Sequence, residues 1–395
     1  MNQTRTSHRS LSPDDRFSPD VANVAQTAFG KDAADVLEAL TKPVSVYYVR
    51  CNTLRISPAE LENRLQARGL TIERNATIPE ALGIRIDGAS EVPVTGQDIV
   101  VDKHTAESVL QGANVYAPGI LNCGSMQIGD EVTIVSELGE VIASGRALMN
   151  TNEVLTFRKG LAVQVDRRRF AGPHIRELSE FSEGLLYPQS LAAMTAVHVL
   201  DPKPDETIVD MNCAPGGKLS HISQLIADSG RVLGFDRNAK KIAQTRQNMI
   251  RLGCSSAVLS IHDSRYLHQD FDSLKADRVL IDPPCSALGL RPKVYDFTSS
   301  ARIKDLADYQ KQFIKAASGI TKPGGVIVYS VCTFTVEECE QIVEFAERQC
   351  GLRVTRQSPF LGSSGFTKFG NSGSLCQRFQ PHIHEIGYFI ARFER

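Results

Sequence analysis

The fold is decided by the stretch IVDMNCAPGGK, residues 208–218, in which an apolar run leads into a glycine-rich turn. Apolar side chains then recur at helical spacing from Leu219 to Ile226, and Gly230 follows as a stop signal. A strand, a tight turn and a helix in this order form the opening unit of an α/β sheet, in which ligands bind beyond the carboxyl ends of the strands. The stretch therefore predicts both a fold class and the place of a binding site.

Four more apolar runs follow in the carboxyl-terminal half, separated by segments with helical patterns. This alternation is typical of βαβ units and a largely parallel sheet. Each run is followed by polar or reactive residues, which are Asp236, Asp263, Asp282 with Cys285, and Cys332. Because parallel strands end at one edge of a sheet, we expect these residues to lie together.

Composition divides the chain into three regions. Residues 1–92 hold a helix signal at 57–68 between two strand signals and predict an N-terminal α/β unit. Residues 93–167 contain short strands separated by glycine turns and predict an inserted small β-barrel. Residues 168–395 contain the opening stretch and predict a Rossmann-like α/β catalytic domain.

The 395 residues are 42% hydrophobic and 23% charged, which excludes collagen-like, mucin-like and disordered chains. Lys and Arg number 44 and Asp and Glu 45, a net charge of −1, so any contact with nucleic acid has to be local. Nine cysteines without a C-x-x-C pair favour a reducing compartment. The polar residues 1–16 and the lack of an apolar run of roughly 18 residues predict a cytoplasmic protein without a membrane span. Nothing in the sequence suggests an oligomer, so we expect a monomer.

The turn at 212–218 predicts a nucleoside-type cofactor. A phosphate-binding P-loop is excluded because Asn212 and Leu219 stand where that motif needs Gly and Ser or Thr, and G-x-G-x-x-G is absent. Asp236 lies about 20 residues on, at the position that grips ribose hydroxyls, and Asp263 could accept from an adenine amine. An adenosine-like ligand without an obligatory phosphate indicates S-adenosylmethionine. Taken singly, each feature could also be an ordinary turn or a solvated strand end.

Two thiols, Cys285 and Cys332, follow consecutive strands, with Asp282 nearby. Carbon 5 of cytosine is a weak nucleophile, so an enzyme that methylates it first adds a thiolate to carbon 6. Enzymes that methylate exocyclic amines usually place an aromatic residue after Asp-Pro-Pro, whereas this chain has Cys285. The pattern favours carbon methylation, although single cysteines are more often inert core residues. Sequence order does not say which thiol attacks.

Residues 215–218, 282–286 and 329–333 (PGGK, DPPCS and YSVCT) resemble the motifs of the Nop2/Sun, RsmB-like family of RNA 5-methylcytosine methyltransferases. The resemblance extends over the third region to the closing segments 378–382 and 387–391. It implies that Cys332 is the nucleophile, that Cys285 assists product release and that Asp282 contacts the cytosine. Lys218 would stand at the edge of the cofactor site.

The same resemblance implies a set of residues around S-adenosylmethionine. They are Asn212, Cys213, Ala214, Pro215, Gly216, Gly217, Lys218, Asp236, Asp263 and Asp282. The family usually reads Cys-Ala-Ala-Pro-Gly-Gly-Lys-Thr at this turn, and the present chain departs from that pattern at residues 212, 213 and 219.

Residues 109–120, 128–132 and 143–147 resemble a PUA domain, a small β-barrel that grips structured RNA, often near a 3′ end. Its position before the catalytic region resembles the tRNA-modifying branch of the family. This implies tRNA as the partner, bound at its acceptor stem and 3′ end, and the terminal acceptor-stem cytosine, tRNA position 72, as the target.

A basic stretch lies at the end of this region and is expected to contact RNA phosphates. Its members are Arg158, Lys159, Arg167, Arg168 and Arg169, and Asp166 is the only acid among residues 156–176. A solvated basic linker is the alternative interpretation. His382 and His384 form an H-x-H pair without a third ligand at suitable spacing, so no metal is expected.

Two other functions stay open at this stage. The same chemistry could act on ribosomal RNA, or the chain could be a catalytically silent RNA-binding scaffold. The joint presence of two thiols, Asp282 and Lys218 argues against the scaffold.

Overall fold

The computed structural model describes residues 11–86, 90–170 and 172–395. Most of the polar amino-terminal stretch considered above, residues 1–10, lies outside these ranges. Within them, no helix combines the length and the apolar character needed to cross a bilayer.

The strands, in chain order, are β1 (Val46–Cys51), β2 (Ile72–Arg74), β3 (Ala81–Arg85), β4 (Gln97–Val101), β5 (Val115–Tyr116), β6 (Ile120–Asn122), β7 (Glu131–Ser136), β8 (Val141–Ala147), β9 (Leu161–Arg168), β10 (Leu186–Pro188), β11 (Thr207–Asp210), β12 (Arg231–Asp236), β13 (Ala257–Ile261), β14 (Ala276–Ile281), β15 (Thr321–Val331), β16 (Arg353–Val354), β17 (Ser363–Ser364), β18 (Gln377–Phe379) and β19 (Tyr388–Glu394).

The α-helices are α1 (Pro13–Arg16), α2 (Pro19–Phe29), α3 (Ala33–Leu40), α4 (Pro58–Ala67), α5 (Lys103–Leu110), α6 (Thr151–Phe157), α7 (Ser179–Ser182), α8 (Leu191–Leu200), α9 (Gly217–Leu225), α10 (Ala239–Leu252), α11 (Leu267–Asp270), α12 (Ser300–Ile320), α13 (Glu340–Cys350) and α14 (Pro381–His384). Short 3₁₀ helices span Gly30–Asp32, Ala117–Gly119, Ile175–Glu177, Ser264–Tyr266, Thr367–Phe369 and Asn371–Leu375.

The N-terminal sheet is antiparallel, with the order β10-β1-β3-β2. Helix α4 packs against it because its apolar positions Leu61 and Leu65 fall on one face and are fully buried. Ser57 begins this helix by accepting a hydrogen bond from the amide of Glu60, and Pro58 occupies the first turn. One strand of the sheet, β10, lies within the predicted catalytic region of residues 168–395, so that region contributes a strand to the N-terminal sheet.

A six-stranded sheet with the order β5-β9-β8-β7-β4-β6 forms the middle of the molecule. Its pairings are antiparallel except for β4 with β7. The apolar core inside it includes Ile99, Val132, Ile134 and Val163, all fully buried. Val294 from the catalytic region is buried in the same core, so the middle sheet is joined to the third region by a shared core residue.

The third sheet positions the candidate site. Its order is β13-β12-β11-β14-β15-β19-β18-β17, with β16 paired to β19. The five strands from β13 to β15 are parallel, whereas the pairs formed by β16 to β19 are antiparallel. Helices α12 and α13 pack on one face and α8 and α9 on the other. The predicted α/β class is confirmed, and the antiparallel edge is an addition that the sequence did not predict.

The connectivity of this sheet reverses beside β11. The chain runs from β11 outward to β12 and β13, and then crosses back to place β14 on the other side of β11. In open α/β sheets, this reversal opens a crevice at the carboxyl ends of the strands. The turn at 212–218 leaves β11 at this point, so its place follows from topology as well as from its glycines.

Candidate active site

The turn between β11 and α9 is closely packed. β11 ends at Asp210, a buried residue whose carboxylate accepts a hydrogen bond from the amide of Asn212 at 3.1 Å. Gly216 lies in the left-handed region with φ 103°, and a Cβ on Gly217 would stand 2.9 Å from the ring of Tyr187. Both glycines therefore meet steric demands of the fold, and the turn is not merely a solvated loop.

Two buried polar groups make this turn fit a cofactor with hydrogen-bond donors. The side-chain oxygen of Asn212 is a buried acceptor with no hydrogen-bond partner among the described residues, and a bound amine or hydroxyl would satisfy it. Burial raises the pKa of Asp210 to about 7, because the ionised carboxylate is poorly solvated there. Asp210 was not among the predicted site residues, although its place at the end of β11 was a usable signal.

The acids at the next two strand ends are engaged differently. Asp236 ends β12 and accepts a hydrogen bond from the amide of Asn238 at 2.8 Å. Asp263 forms a two-point pair with Arg265, with N···O distances of 2.9 and 2.6 Å, and this arginine lowers the pKa of the acid. Arg265 also lies over the ring of Tyr309, 4.5 Å from its centroid. The adenine contact of Asp263 stays a prediction, and it would use an oxygen that already pairs with Arg265.

The two thiols lie in contact. Cys285 follows β14 and Cys332 follows β15, and these parallel strands are paired with Ile281 opposite Tyr329. The sulfur atoms are 3.3 Å apart and share a hydrogen bond. The sheet thus brings together two cysteines that are 47 positions apart in the chain.

This contact makes the thiols unequal. The hydrogen bond from Cys285 lowers the pKa of Cys332, while the same contact and burial raise the pKa of Cys285 well above its usual value. Lys218 and Lys293 also lower the pKa of Cys332, against the effects of burial and of Asp282. Cys332 therefore ionises first, and the thiolate is the nucleophilic form. The residues alone left this choice open, and the lowered pKa of Cys332 favours the thiol that the family resemblance implied.

An ion pair between Lys218 and Asp282 lies beside the thiols, with a distance of 2.5 Å between Nζ and Oδ2. Burial by itself would lower the pKa of Lys218, but Asp282 and Tyr388 raise it, so the ammonium stays charged. Ser330 donates to the other oxygen of Asp282 at 3.5 Å. The pair fixes the Asp282 carboxylate at the sheet edge that carries the thiols.

The basic stretch does not act as one surface. Arg158 donates to the carbonyls of Ile120 and Pro118 at 2.9 and 3.0 Å, and Arg168 donates to the carbonyl of Gly112 at 2.8 Å. Arg169 pairs with the carboxylate of Glu140. The side chains of Lys159 and Arg167 are exposed and form no hydrogen bond or ion pair with any residue that the structure describes.

Exposed apolar side chains adjoin this basic stretch. We define the PUA face as Tyr116, Leu121, Leu155, Phe157, Arg158 and Lys159, of which the four apolar members are between 51% and 64% exposed. Arg158 links α6 to β6 through the carbonyl of Ile120, and Tyr116 pairs with Leu161 at the start of β9. The sequence analysis missed the apolar members because their exposure depends on how the strands close.

A cluster with metal-ligand chemistry occurs away from the thiols. Oε1 of Glu80 lies 2.6 Å from Nε2 of His198 and 2.7 Å from Nε2 of His221. These are hydrogen-bond lengths, shorter than the separation of two ligands around a tetrahedral ion. The H-x-H pair behaves differently, since Nδ1 of His384 accepts from the amide of Gln380 and His382 packs against Phe29.

A cavity of about 370 Å³ lies between the N-terminal sheet, α8 and the carboxyl-terminal segment. It is lined mainly by apolar groups, including Tyr47, Leu290 and Phe379. The turn at 212–218, the strand-end acids and the thiols do not line it, so this cavity is distinct from the candidate site at the sheet edge.

Comparison with protein families gives two matches. Residues 197–394 match the family described as 16S rRNA methyltransferase RsmB/F. Residues 97–168 match the PUA domain family. The two matches cover the third sheet and the middle sheet respectively.

Known relatives cover nearly the whole chain. A tRNA (cytosine(72)-C(5))-methyltransferase of Pyrococcus horikoshii is 38% identical over 389 residues, 96% of this chain and 97% of the relative. The human tRNA (cytosine(72)-C(5))-methyltransferase NSUN6 is 29% identical over 90% of this chain and 85% of its own. The crystal structure of NSun6 from P. horikoshii with SFG, an S-adenosylmethionine analogue, superimposes with a TM-score of 0.87 at 37% identity, covering 96% of this chain and 98% of that one.

Proposed function

This chain belongs to the RsmB/F family of S-adenosylmethionine-dependent methyltransferases, and from this premise we propose that it methylates carbon 5 of a cytosine in tRNA. The proposed target is the terminal acceptor-stem cytosine, position 72. The observation that carries the proposal is the 3.3 Å contact between Cys285 and Cys332 beside the Lys218–Asp282 pair. Relatives that act on this position match both the catalytic and the PUA regions.

Cys332 and Cys285 are proposed to act in different steps of the reaction. The thiolate of Cys332 adds to carbon 6 of the cytosine, which turns carbon 5 into an enamine nucleophile. S-adenosylmethionine, once bound, would supply the methyl group to carbon 5, and the break of its methyl–sulfur bond would leave S-adenosylhomocysteine. Carbon 5 then loses its proton to water, the bond between carbon 6 and the sulfur of Cys332 breaks with the electron pair returning to that sulfur, and the methylated base leaves. Cys285 assists this release. Asp282 contacts the ring, and Lys218 fixes its carboxylate.

The cofactor is proposed to lie along the edge formed by β11, β12 and β13. The cofactor would be surrounded by the turn at 212–218 and the acids Asp236, Asp263 and Asp282. Asp210 stabilises the turn by accepting a hydrogen bond from the amide of Asn212. The unsatisfied oxygen of Asn212 supports this placement.

The PUA face is proposed to bind the 3′ end of the tRNA. Exposed rings and apolar side chains give unpaired bases a surface on which to stack, and Lys159 and Arg167 add charge for phosphates. The target cytosine is paired in the free tRNA and has to leave its stack to reach Cys332, at a cost of a few kcal/mol. Anchoring of the adjacent 3′ end would offset part of that cost.

The proposed reaction requires both thiols to be reduced, which agrees with a cytoplasmic location. We propose that the chain acts as a monomer and without a metal, since no step above uses one. Ribosomal RNA is the alternative substrate, because the family description names it. The PUA domain and the tRNA-acting relatives that span both regions favour tRNA.

The test is bisulfite sequencing of tRNA and ribosomal RNA after incubation with the protein and S-adenosylmethionine. We expect one newly protected cytosine, at position 72 of tRNA. A parallel incubation with Cys332→Ala should protect none. Protection confined to ribosomal RNA would favour the alternative substrate, and no protection in either RNA would contradict methyl transfer.

A further inference from the structure

A segment that follows the Cys285 loop touches the other two parts of the molecule. In this connecting segment, residues 291–296, Arg291 donates to the carbonyl of Lys42 in the N-terminal part at 2.7 Å. Val294 is buried in the core of the middle sheet, and its amide donates to Glu107 of α5 at 3.2 Å. The segment therefore links the thiol-bearing loop to both neighbouring units.

Lys293 lies at the centre of this segment and is 5% exposed. Its ammonium donates to the carbonyl of Ala287 at 3.1 Å and to Asp296 at 2.9 Å. Ala287 stands two residues after Cys285 and has a left-handed φ of 55°. A residue other than glycine keeps this conformation only where its surroundings fix it, and Lys293 is one of the groups that fix it.

Asp296 extends the contact to the PUA domain. Its Oδ2 also lies 3.1 Å from Nζ of Lys103, the first residue of α5. Burial would raise the pKa of Asp296, but Lys293, Thr298 and Lys103 lower it to about 2, so the carboxylate is ionised at neutral pH. A continuous path thus runs from Lys103 through Asp296 and Lys293 to the Ala287 carbonyl.

We infer that Lys293 is a positioning residue for methyl transfer. Its hydrogen bond to the carbonyl of Ala287 keeps the Cys285 loop in place beside Cys332. Asp296 binds both Lys293 and Lys103, and so connects this loop to the PUA domain. The inference deepens the proposed function and rests on it for one of its two readouts. The other readout is the reactivity of the thiols, which needs no RNA.

The charged and titratable groups that act on Cys332 are Cys285, Asp282, Lys218 and Lys293. Replacing Lys293 by Met removes one cation and loosens the Cys285 loop, and both changes raise the pKa of Cys332. A higher pKa leaves a smaller thiolate fraction at neutral pH and slows both alkylation and methyl transfer. Lys293→Arg keeps the charge and can still donate to Ala287, so it should recover much of the wild-type behaviour.

The experiment compares Lys293→Met, Lys293→Arg and Lys103→Met in the full chain, with Lys304→Met on the exposed side of α12 as the control. Alkylation of Cys332 by iodoacetamide is followed by peptide mass spectrometry over a pH series. Methyl transfer to tRNA is followed over the same series. We expect both pH profiles of Lys293→Met to move to higher pH, those of Lys103→Met to move less in the same direction, and Lys293→Arg and the control to stay near wild type.

Wild-type alkylation and transfer profiles in Lys293→Met would overturn the inference. If that variant does not fold, Lys103→Met decides, since an unchanged profile there removes the link to the PUA domain. If the wild-type protein has a Cys332 of low pKa but methylates no RNA, the proposed function is refuted. The positioning role of Lys293 is then judged from the alkylation profiles alone.

Discussion

At the scale of single residues, the structure explains why two thiols are not interchangeable. A hydrogen bond between Cys285 and Cys332 stabilises the thiolate of the acceptor and keeps the donor protonated. Nearby, Lys218 and Asp282 form an ion pair with 2.5 Å between Nζ and Oδ2. The ionised thiol is the form that adds to carbon 6, and the thiol that keeps its proton does not compete with it as a nucleophile.

Cys332→Ala should abolish methyl transfer and covalent adduct formation, because it removes the thiol that we propose adds to carbon 6. Incorporation of a radiolabelled methyl group into tRNA measures the first effect, and denaturing gels measure the second. Cys350→Ala, in the last turn of α13, is the matched control and should keep wild-type activity. Full activity in Cys332→Ala would refute its role.

Cys285→Ala should accumulate a covalent protein–RNA adduct, because addition proceeds while release is slowed. A slower-migrating band that survives denaturation and disappears on nuclease treatment would identify it. The double variant Cys285→Ala/Cys332→Ala should form no adduct. An adduct in the double variant would contradict the assignment of the nucleophile.

The rate of methyl transfer should rise with pH until Cys332 is ionised. Below its pKa only the thiolate fraction reacts, so the rate falls about tenfold per pH unit. Because the contact with Cys285 lowers the pKa of Cys332 from the ordinary thiol value of 9.0, the midpoint of this limb should lie below that value. Single-turnover rates over a pH series measure it, and a midpoint above 9.0 would contradict the hydrogen-bond assignment.

At the scale of elements, the basic end of β9 and the turn after α6 combine two roles. Arg158, Arg168 and Arg169 hold loops and a neighbouring strand in place, whereas Lys159 and Arg167 are exposed and form no hydrogen bond or ion pair with the residues that the structure describes. The charge pattern of the sequence predicted that all five basic residues contact RNA phosphates. Substituting Arg167, Arg168 and Arg169 together would thus mix loss of RNA contacts with loss of fold contacts.

Lys159→Ala/Arg167→Ala should weaken tRNA binding without changing the melting temperature. Loss of two phosphate contacts should reduce the slope of log affinity against log salt by about 2. Binding titrations at several salt concentrations measure this. The control is Arg302→Ala/Lys304→Ala on α12, which should keep the wild-type slope. An unchanged slope in the first variant would exclude these two side chains from the RNA contact.

At the scale of the whole molecule, buried ion pairs join units that sequence analysis treats as separate. Glu140 of the middle sheet accepts from Arg16 at 2.8 and 2.7 Å and also pairs with Arg169. Arg16 is only 7% exposed. A buried cation of this kind depends on its partner, since the charge is poorly solvated without it.

Glu140→Gln should lower the free energy of unfolding by about 3 kcal/mol, because it leaves the Arg16 guanidinium buried without a counter-charge. Urea unfolding measured by circular dichroism tests this. Glu38→Gln removes an exposed partner of Lys42 and should leave stability unchanged. Equal stabilities of the two variants would show that the Arg16 pair does not join the N-terminal helices to the middle sheet.

The sequence alone determined the α/β class and the edge where the site lies. The apolar runs before Asp210, Asp236 and Asp282 carry the strand signal, and a parallel sheet aligns their carboxyl ends whatever the details of packing. The glycine-rich turn also follows from local chemistry, since only small residues fit where Gly216 and Gly217 lie. These features depend on residues that are close together in the chain, so they can be predicted from the sequence.

Only the tertiary structure decided which groups touch. The 3.3 Å contact between the sulfur atoms of Cys285 and Cys332 depends on the pairing of β14 with β15. The burial of Val294 in the middle sheet's core and the path from Lys293 to Lys103 join distant parts of the chain. Contacts of this kind arise from packing between elements, and neither periodicity nor residue spacing contains that information.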